Sequence, residues 1–342
     1  MSISILITSS ISIFAIVYPS QLVFSISFGI CMGINTTFLA YPPIWVGWRV
    51  LGHKKGLLTG VAEAAYKLSP FIIGAVYTKL INPENLEGYQ KNESVYFTEP
   101  VYSHVPNALI WVTCINFILG SISTLLVLEF RNKIDDSSKS KITLKRLLVH
   151  RNFWYLFFSM FIKMIFYIFL ISAYKNLGLI HFNDDHFLNF VALAAFTTTA
   201  FCSILLGSFF DKFEWEKLNY SFVSFEVVLV LIGPSVLDSK ILFCVWLSLA
   251  MGISAMNFVS VWLLTQRLYP QDNWVISAVA FSLIFDTVLV NYLLGEVVQI
   301  YGFPATIYSL SGFHFVSLLL AFFKDRILIK DLDDALMNKL LS

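Results

Sequence analysis

Hydrophobic residues in this chain run in long blocks, with neither the one-sided stripe of a surface helix nor the alternation of a half-buried strand. Ten stretches are apolar and close to membrane length: 3–18, 21–44, 57–80, 108–130, 152–174, 187–210, 218–236, 241–266, 275–299 and 303–323. A span needs about 20 mostly apolar residues, because the hydrocarbon core is about 30 Å thick and a helix rises about 1.5 Å per residue. Inside that core a helix satisfies every backbone donor and acceptor within its own segment. Each block is therefore expected to be a transmembrane helix. The first is serine-rich and short, and no basic segment precedes it as in a secretory signal.

Composition agrees with the pattern. The chain is 57% hydrophobic and 13% charged, whereas a soluble domain keeps roughly a quarter of its residues charged. Lipid is the partner this surface demands. Basic residues set the orientation. Of the 23 lysines and arginines, seventeen fall in alternate loops and the tail on one side: Arg49 to Lys55, Arg131 to Arg151, Lys212, Lys217, Arg267 and 324–339. That side, with both termini, is expected to be cytosolic. The long loop 81–107 then lies outside, where Asn92-Glu93-Ser94 makes Asn92 a glycosylation candidate.

Several functions find no support. Net charge is +1, and the basic stretch 131–151 is explained by topology, so no nucleic-acid partner is expected. Cys31, Cys114, Cys202 and Cys244 each sit in an apolar block and read as packing residues. The loop His181-Phe182-Asn183-Asp184-Asp185-His186 has metal-ligand residue types, but reads as a solvated loop and not as a zinc site. No P-loop, dinucleotide turn, Ser-His-Asp or His-Glu-x-x-His pattern appears. Neither an enzyme nor a cofactor is expected.

An internal echo organises the chain. Met32-Gly33-Ile34-Asn35 resembles Met251-Gly252-Ile253-Ser254 at an offset of 219 residues, and Val61-Ala62 resembles Val279-Ala280 at nearly the same offset. This register pairs the second block with the eighth and the third with the ninth. Six blocks follow the basic linker but only four precede it, so the first half reads as lacking two helices at its front.

With that layout the chain resembles the major facilitator superfamily, whose members have two six-helix halves joined by a cytosolic loop. Gly207-Ser208-Phe209-Phe210-Asp211-Lys212 resembles part of the family's gate motif, a Gly-x-x-x-Asp-(Arg/Lys) core in the loop after the second helix of each half. Gly207, Asp211 and Lys212 are the gate candidates. Trp48, followed by His53-Lys54-Lys55-Gly56-Leu57-Leu58-Thr59-Gly60, is similar to the helix 4–5 junction of the monocarboxylate-porter and oxalate/formate-antiporter branch. The resemblance implies an all-α polytopic membrane protein with a two-bundle fold and about ten transmembrane helices. It implies an N-terminal half at 1–130 (family helices 3–6), a cytosolic linker at 131–151, a six-helix half at 152–324 and a cytosolic tail at 325–342.

Three charges stand deep in the blocks: Lys67, Lys163 and Asp286. Each costs about 2.5–3.5 kcal/mol to insert at the bilayer centre, so each is expected to pair or to face a wet cavity. Lys67 and Asp286 are also equivalent under the 219-residue offset. Asp286 is expected to pair with one of the lysines and is a candidate for a coupling proton, while the remaining lysine would attract an anion. Glu63, four residues before Lys67, is an alternative partner for it. Asn35 and Asn257, beside the repeated Met-Gly-Ile steps, are the best polar candidates for the pathway. Glu226 is expected to lie shallower, as a structural partner for a cytosolic base. The chain departs from the acid-porter pattern in that 187–210 has no charge in its core, which leaves neutral and cationic solutes open. Together these features point to a secondary-active transporter of a small solute, such as a small organic anion moved with H+. The alternative is a truncated, non-transporting membrane protein or an interaction scaffold.

Overall fold

The computed structural model describes residues 41–84, 86, 88–91, 94–131, 142–270, 272 and 274–324. The first block, most of the second, Asn35 and Asn92 lie outside the described residues. Within them the elements are α1 (Tyr41–Val50), α2 (Lys55–Ile81), a small antiparallel hairpin of β1 (Tyr89–Lys91) and β2 (Ser94–Tyr96), α3 (Glu99–Tyr102), α4 (Val105–Arg131), α5 (Leu144–Val149), α6 (Arg151–Phe182), α7 (Asp185–Phe210), α8 (Trp215–Ile232), α9 (Lys240–Leu268), α10 (Trp274–Ala280), α11 (Ser282–Tyr292) and α12 (Val298–Phe322).

The chain is an all-α, multi-pass integral membrane protein. Among the described residues, six segments are long and apolar enough to cross: Glu99–Leu126, Arg151–Phe182, His186–Phe210, Trp215–Val236, Lys240–Leu268 and Trp274–Phe322. The last holds two of the expected spans. Gly302 interrupts it with φ 77° and ψ 168°, and Pro304 follows. Helix α2 is 27 residues long but carries Glu63 and Lys67 in its middle.

Helix ends follow local chemistry. Asp184 caps α7 by accepting the Phe187 N–H at 3.0 Å, and Ser239 caps α9 through the Leu242 N–H at 3.4 Å. Asn183 ends α6 in the left-handed conformation, φ 44°. Lys240 donates to Asp184 at 2.5 Å, which ties the α6–α7 turn to the start of α9. That bond, with the Phe187 N–H, holds the Asp184 carboxyl below the usual carboxylate range. At the other end of the helices, residues leading into and out of α5 rest on the loop after α9. Asp272 accepts the Ile142 N–H at 3.0 Å, and the Tyr269 hydroxyl lies 2.8 Å from His150 Nδ1. This end is the linker face.

Packing is dominated by a few helix pairs. α2 lies along α7, α9 lies against both α7 and α6, α8 against α12 and α9, and α11 against α6. Trp215, Trp262, Phe166, Phe169, Phe243 and Phe303 are fully buried between them. Lipid is as apolar as these side chains, so close van der Waals contact and interhelical hydrogen bonds hold the helices together more than exclusion of water does. Helix α4 is the opposite case, with Trp111, Ile118 and Leu125 all exposed, as suits a surface wetted by acyl chains.

The backbone at Gly302 is a conformation that side chains other than glycine adopt only at a cost of about 1–3 kcal/mol. Gly302→Ala is expected to lower the melting temperature of the detergent-solubilised protein by several degrees. Gly312→Ala, a helical position with no atom near the added methyl, is expected to leave it unchanged or slightly raised.

Candidate functional site

The two sequence motifs meet on the linker face. Helix α2 begins at Lys55 with no side-chain cap of its own, and an α-helix leaves its first N–H groups without intrahelical partners. Asp211, at the C-terminal end of α7, supplies the missing acceptor. Its Oδ1 accepts the Gly56 N–H at 2.7 Å and its Oδ2 the Leu57 N–H at 2.9 Å. A carboxylate there also meets the positive end of the α2 dipole. Glycine makes the approach possible. A Cβ on Gly207 would come within 2.6 Å of the Gly56 carbonyl oxygen and 3.0 Å of the Gly60 Cα, and one on Gly60 would collide with the Ser203 carbonyl oxygen. Trp48 fixes the turn before α2 by donating its indole N–H to Thr59 Oγ1 at 2.9 Å. Lys212, the third gate candidate, is exposed beside this joint.

Deeper along α2, Lys67 is 1% exposed. Its ammonium lies 3.5 Å from Glu63 Oε2. The same ammonium is 3.9 Å from the Tyr167 ring centroid on α6, 5.0 Å from Tyr66 and 5.4 Å from Phe258 on α9. Helices α2, α6 and α9 thus converge on one cation held by a carboxylate and three aromatic faces, a desolvated cation–π arrangement. The Tyr167 hydroxyl is buried with no hydrogen-bond partner among the described residues.

Lys163 and Asp286 do not pair, contrary to expectation, and neither does Lys67 with Asp286. Glu63 is one helical turn from Lys67 and takes that ammonium first. Lys163, on α6, donates to Asn219 Oδ1 on α8 and, at 3.3 Å, to Ser260 Oγ on α9. Asp286, on α11, is fully buried, and neither carboxylate oxygen has a hydrogen-bond partner among the described residues.

Glu226 also departs from its expected place. It is 0% exposed and lies mid-helix, because α8 starts at Trp215 and not at 218. It accepts from Ser254 Oγ and from Asn257 Nδ2, both at 2.5 Å, and lies 3.4 Å from His314 Nε2 on α12. Asn257 therefore serves Glu226 within the bundle. Its neighbour Phe258 belongs to the Lys67 cage. Glu226 and His314 are titratable groups inside apolar spans, which is the signal that reveals them in the sequence.

No family profile matches the chain, and no curated protein matches it by sequence. Solved structures match it in fold. A crystal structure of a variant of the E. coli fucose:proton symporter, FucP, superposes with a TM-score of 0.61 and 13% identity, covering 94% of this chain and 82% of that one. A structure described as a Major Facilitator Superfamily transporter, FucP, in the outward conformation superposes with a TM-score of 0.58 and 13% identity, covering 94% of this chain and 81% of that one. At that identity the likeness establishes the fold, which is that of the major facilitator transporters.

Asp211 is solvent-exposed, so its bond to the α2 N-terminus contributes roughly 0.3–1 kcal/mol. Asp211→Ala is expected to loosen the joint by up to about fivefold. In a background without native cysteines, a cysteine placed at Leu57 should react correspondingly faster with a water-soluble maleimide. Asp211→Asn is expected to be intermediate, because its amide keeps one acceptor but loses the charge.

Proposed function

We propose that this protein is a secondary-active transporter that moves a small solute across the membrane by alternating access. In this reading α1–α4 belong to one rocking half and α6–α12 to the other. The basic side is cytosolic, as are both termini. The observation that carries the reading is the joint between α2 and α7. Two long helices from opposite halves touch through glycines and are latched by one exposed carboxylate on a helix N-terminus. A bare backbone contact closed by a hydrated latch can part at low cost, whereas a joint closed by interlocked large side chains cannot. The fold likeness to a proton symporter supports the same conclusion. In this reading the joint is closed on the cytosolic side.

The solute site in this proposal is the level of Lys67, where α2, α6 and α9 converge. A small organic anion, the class suggested by the likeness of Trp48–Gly60 to the monocarboxylate-porter branch, would compete with Glu63 for the Lys67 ammonium. The aromatic faces would hold its apolar part. Asp286, buried with no hydrogen bond among the described residues, is the candidate carrier of the coupling proton.

The test is uptake into proteoliposomes with an imposed pH gradient, using labelled lactate, oxalate and fucose as probes. The proposal expects at least one to accumulate against its gradient. Lys67→Gln is expected to reduce uptake of a carboxylate probe by at least about tenfold, the loss of one charge-assisted contact, while leaving a neutral probe less affected. Asp286→Asn is expected to abolish pH-driven accumulation but to leave exchange of solute down its gradient. No uptake of any probe above empty vesicles, by protein that remains folded, would favour a non-transporting role. Accumulation by Asp286→Asn equal to the parent would remove Asp286 from the coupling path.

A further inference from the structure

One buried cluster has more bases than its carboxylate can neutralise. Lys163 on α6, Glu226 on α8 and His314 on α12 are each 2% exposed or less. A continuous set of polar groups joins them. Lys163 donates to Asn219 and Ser260, and Ser260 Oγ donates to the Asn257 carbonyl at 2.9 Å. Asn257 and Ser254 donate to Glu226, which faces His314. The Phe166 ring closes the site against the imidazole, edge to face at 5.3 Å. Between Cys244 and Arg267, α9 brings no titratable side chain. The ionisable groups joined by this network are one carboxylate and two bases; Lys324, whose ammonium also lies over the Trp215 ring near Lys163, is paired with Glu216.

The geometry of the imidazole limits its protonation. Nδ1 lies 3.1 Å from the Leu310 carbonyl oxygen, which only accepts, so Nδ1 carries a hydrogen. Nε2 then faces Glu226 Oε1 at 3.4 Å. If neither group held a proton there, two lone pairs would oppose each other in a site closed off from the surface. A proton at this contact, on either partner, turns the opposition into attraction. If Lys163 and His314 were both charged, however, a single carboxylate would face two cations out of water, which is costly.

We infer that Glu226 and His314 form a proton-binding site within the α6–α8–α9–α12 bundle, distinct from Asp286, taking up and releasing one proton whose affinity is set by the charge on Lys163. The proton comes from solvent and adds to the Glu226–His314 contact. No bond other than that O–H or N–H forms or breaks, and the charge of the cluster rises by one. In the transporter reading this gives the protein a second place for a proton, away from the α2–α7 joint. The titration below needs no solute, so its failure is separate from any failure of that reading.

The experiment is an NMR titration of the purified full-length protein in lipid nanodiscs, with labelled histidine ring carbons. The chain has 6 histidines, and loss of one signal in His314→Gln identifies His314. The inference expects that signal to titrate reversibly within the pH range over which the protein stays folded. Glu226→Gln and Lys163→Met are expected to displace its midpoint in opposite senses, each by at least about one pH unit, tenfold in proton affinity. The first removes the anion that faces the imidazole and the second removes the competing cation. A His314 signal that does not titrate in the parent protein overturns the inference, as does a midpoint unmoved in whichever variant folds. A merely structural polar cluster would lose stability in the variants without this opposed pair of shifts.

Discussion

An ammonium or a carboxylate moved from water into the hydrocarbon layer costs several kcal/mol unless the surrounding helices answer it. Except at Asp286, whose carboxyl has no hydrogen-bond partner among the described residues, the interior of this protein is arranged around that requirement. Lys67 is answered by Glu63 on its own helix and by aromatic rings from two others. Lys163 is answered by amide and hydroxyl oxygens from α8 and α9. Glu226 is answered from α9 and α12. Each charge thereby fixes the rotation of helices that apolar packing alone would leave free to turn, because one lipid-facing leucine is much like the next. Removing a partner would leave a buried charge uncompensated, which costs more than the pair itself contributes.

The same physics separates what the sequence discloses from what it conceals. Span positions depend on hydrocarbon thickness and are legible: the blocks at 152–174, 187–210 and 241–266 fall inside α6, α7 and α9. The break between the last two blocks is visible as Gly302 and Pro304. The gate motif at 207–212 and the basic motif at 48–60 are each recognisable alone, yet nothing in either string says that Asp211 would cap the helix opened by Lys55-Gly56. That contact spans 155 residues and depends on helix rotation and depth. Charge partners are hidden in the sequence for the same reason. Asp286 stood opposite Lys67 in the repeat register, but register gives depth and not azimuth. Glu226 reads as shallow in the sequence because Glu216 and Lys217 look like loop, whereas α8 already begins at Trp215 and carries Glu226 to the level of His314.

The α2–α7 joint combines these constraints at one contact. It requires glycine on both sides, a helix left uncapped by its own residues, and a carboxylate delivered from the far end of another helix. It lies on the same helix, α2, as the Lys67 cage. Tilting α2 away from α7 on the linker face would therefore also disturb the contacts Lys67 makes with Tyr167 and Phe258. In the proposed cycle, closure at one end and the contacts of Lys67 would be linked through α2.

The most direct measurement is the distance between spin labels at Lys54 and Lys212, on the two sides of the joint, read by pulsed electron paramagnetic resonance in liposomes. Alternating access predicts two populations, one short and one long, with the long one enriched by Asp211→Ala. A single short population, unchanged by that substitution, would contradict the account.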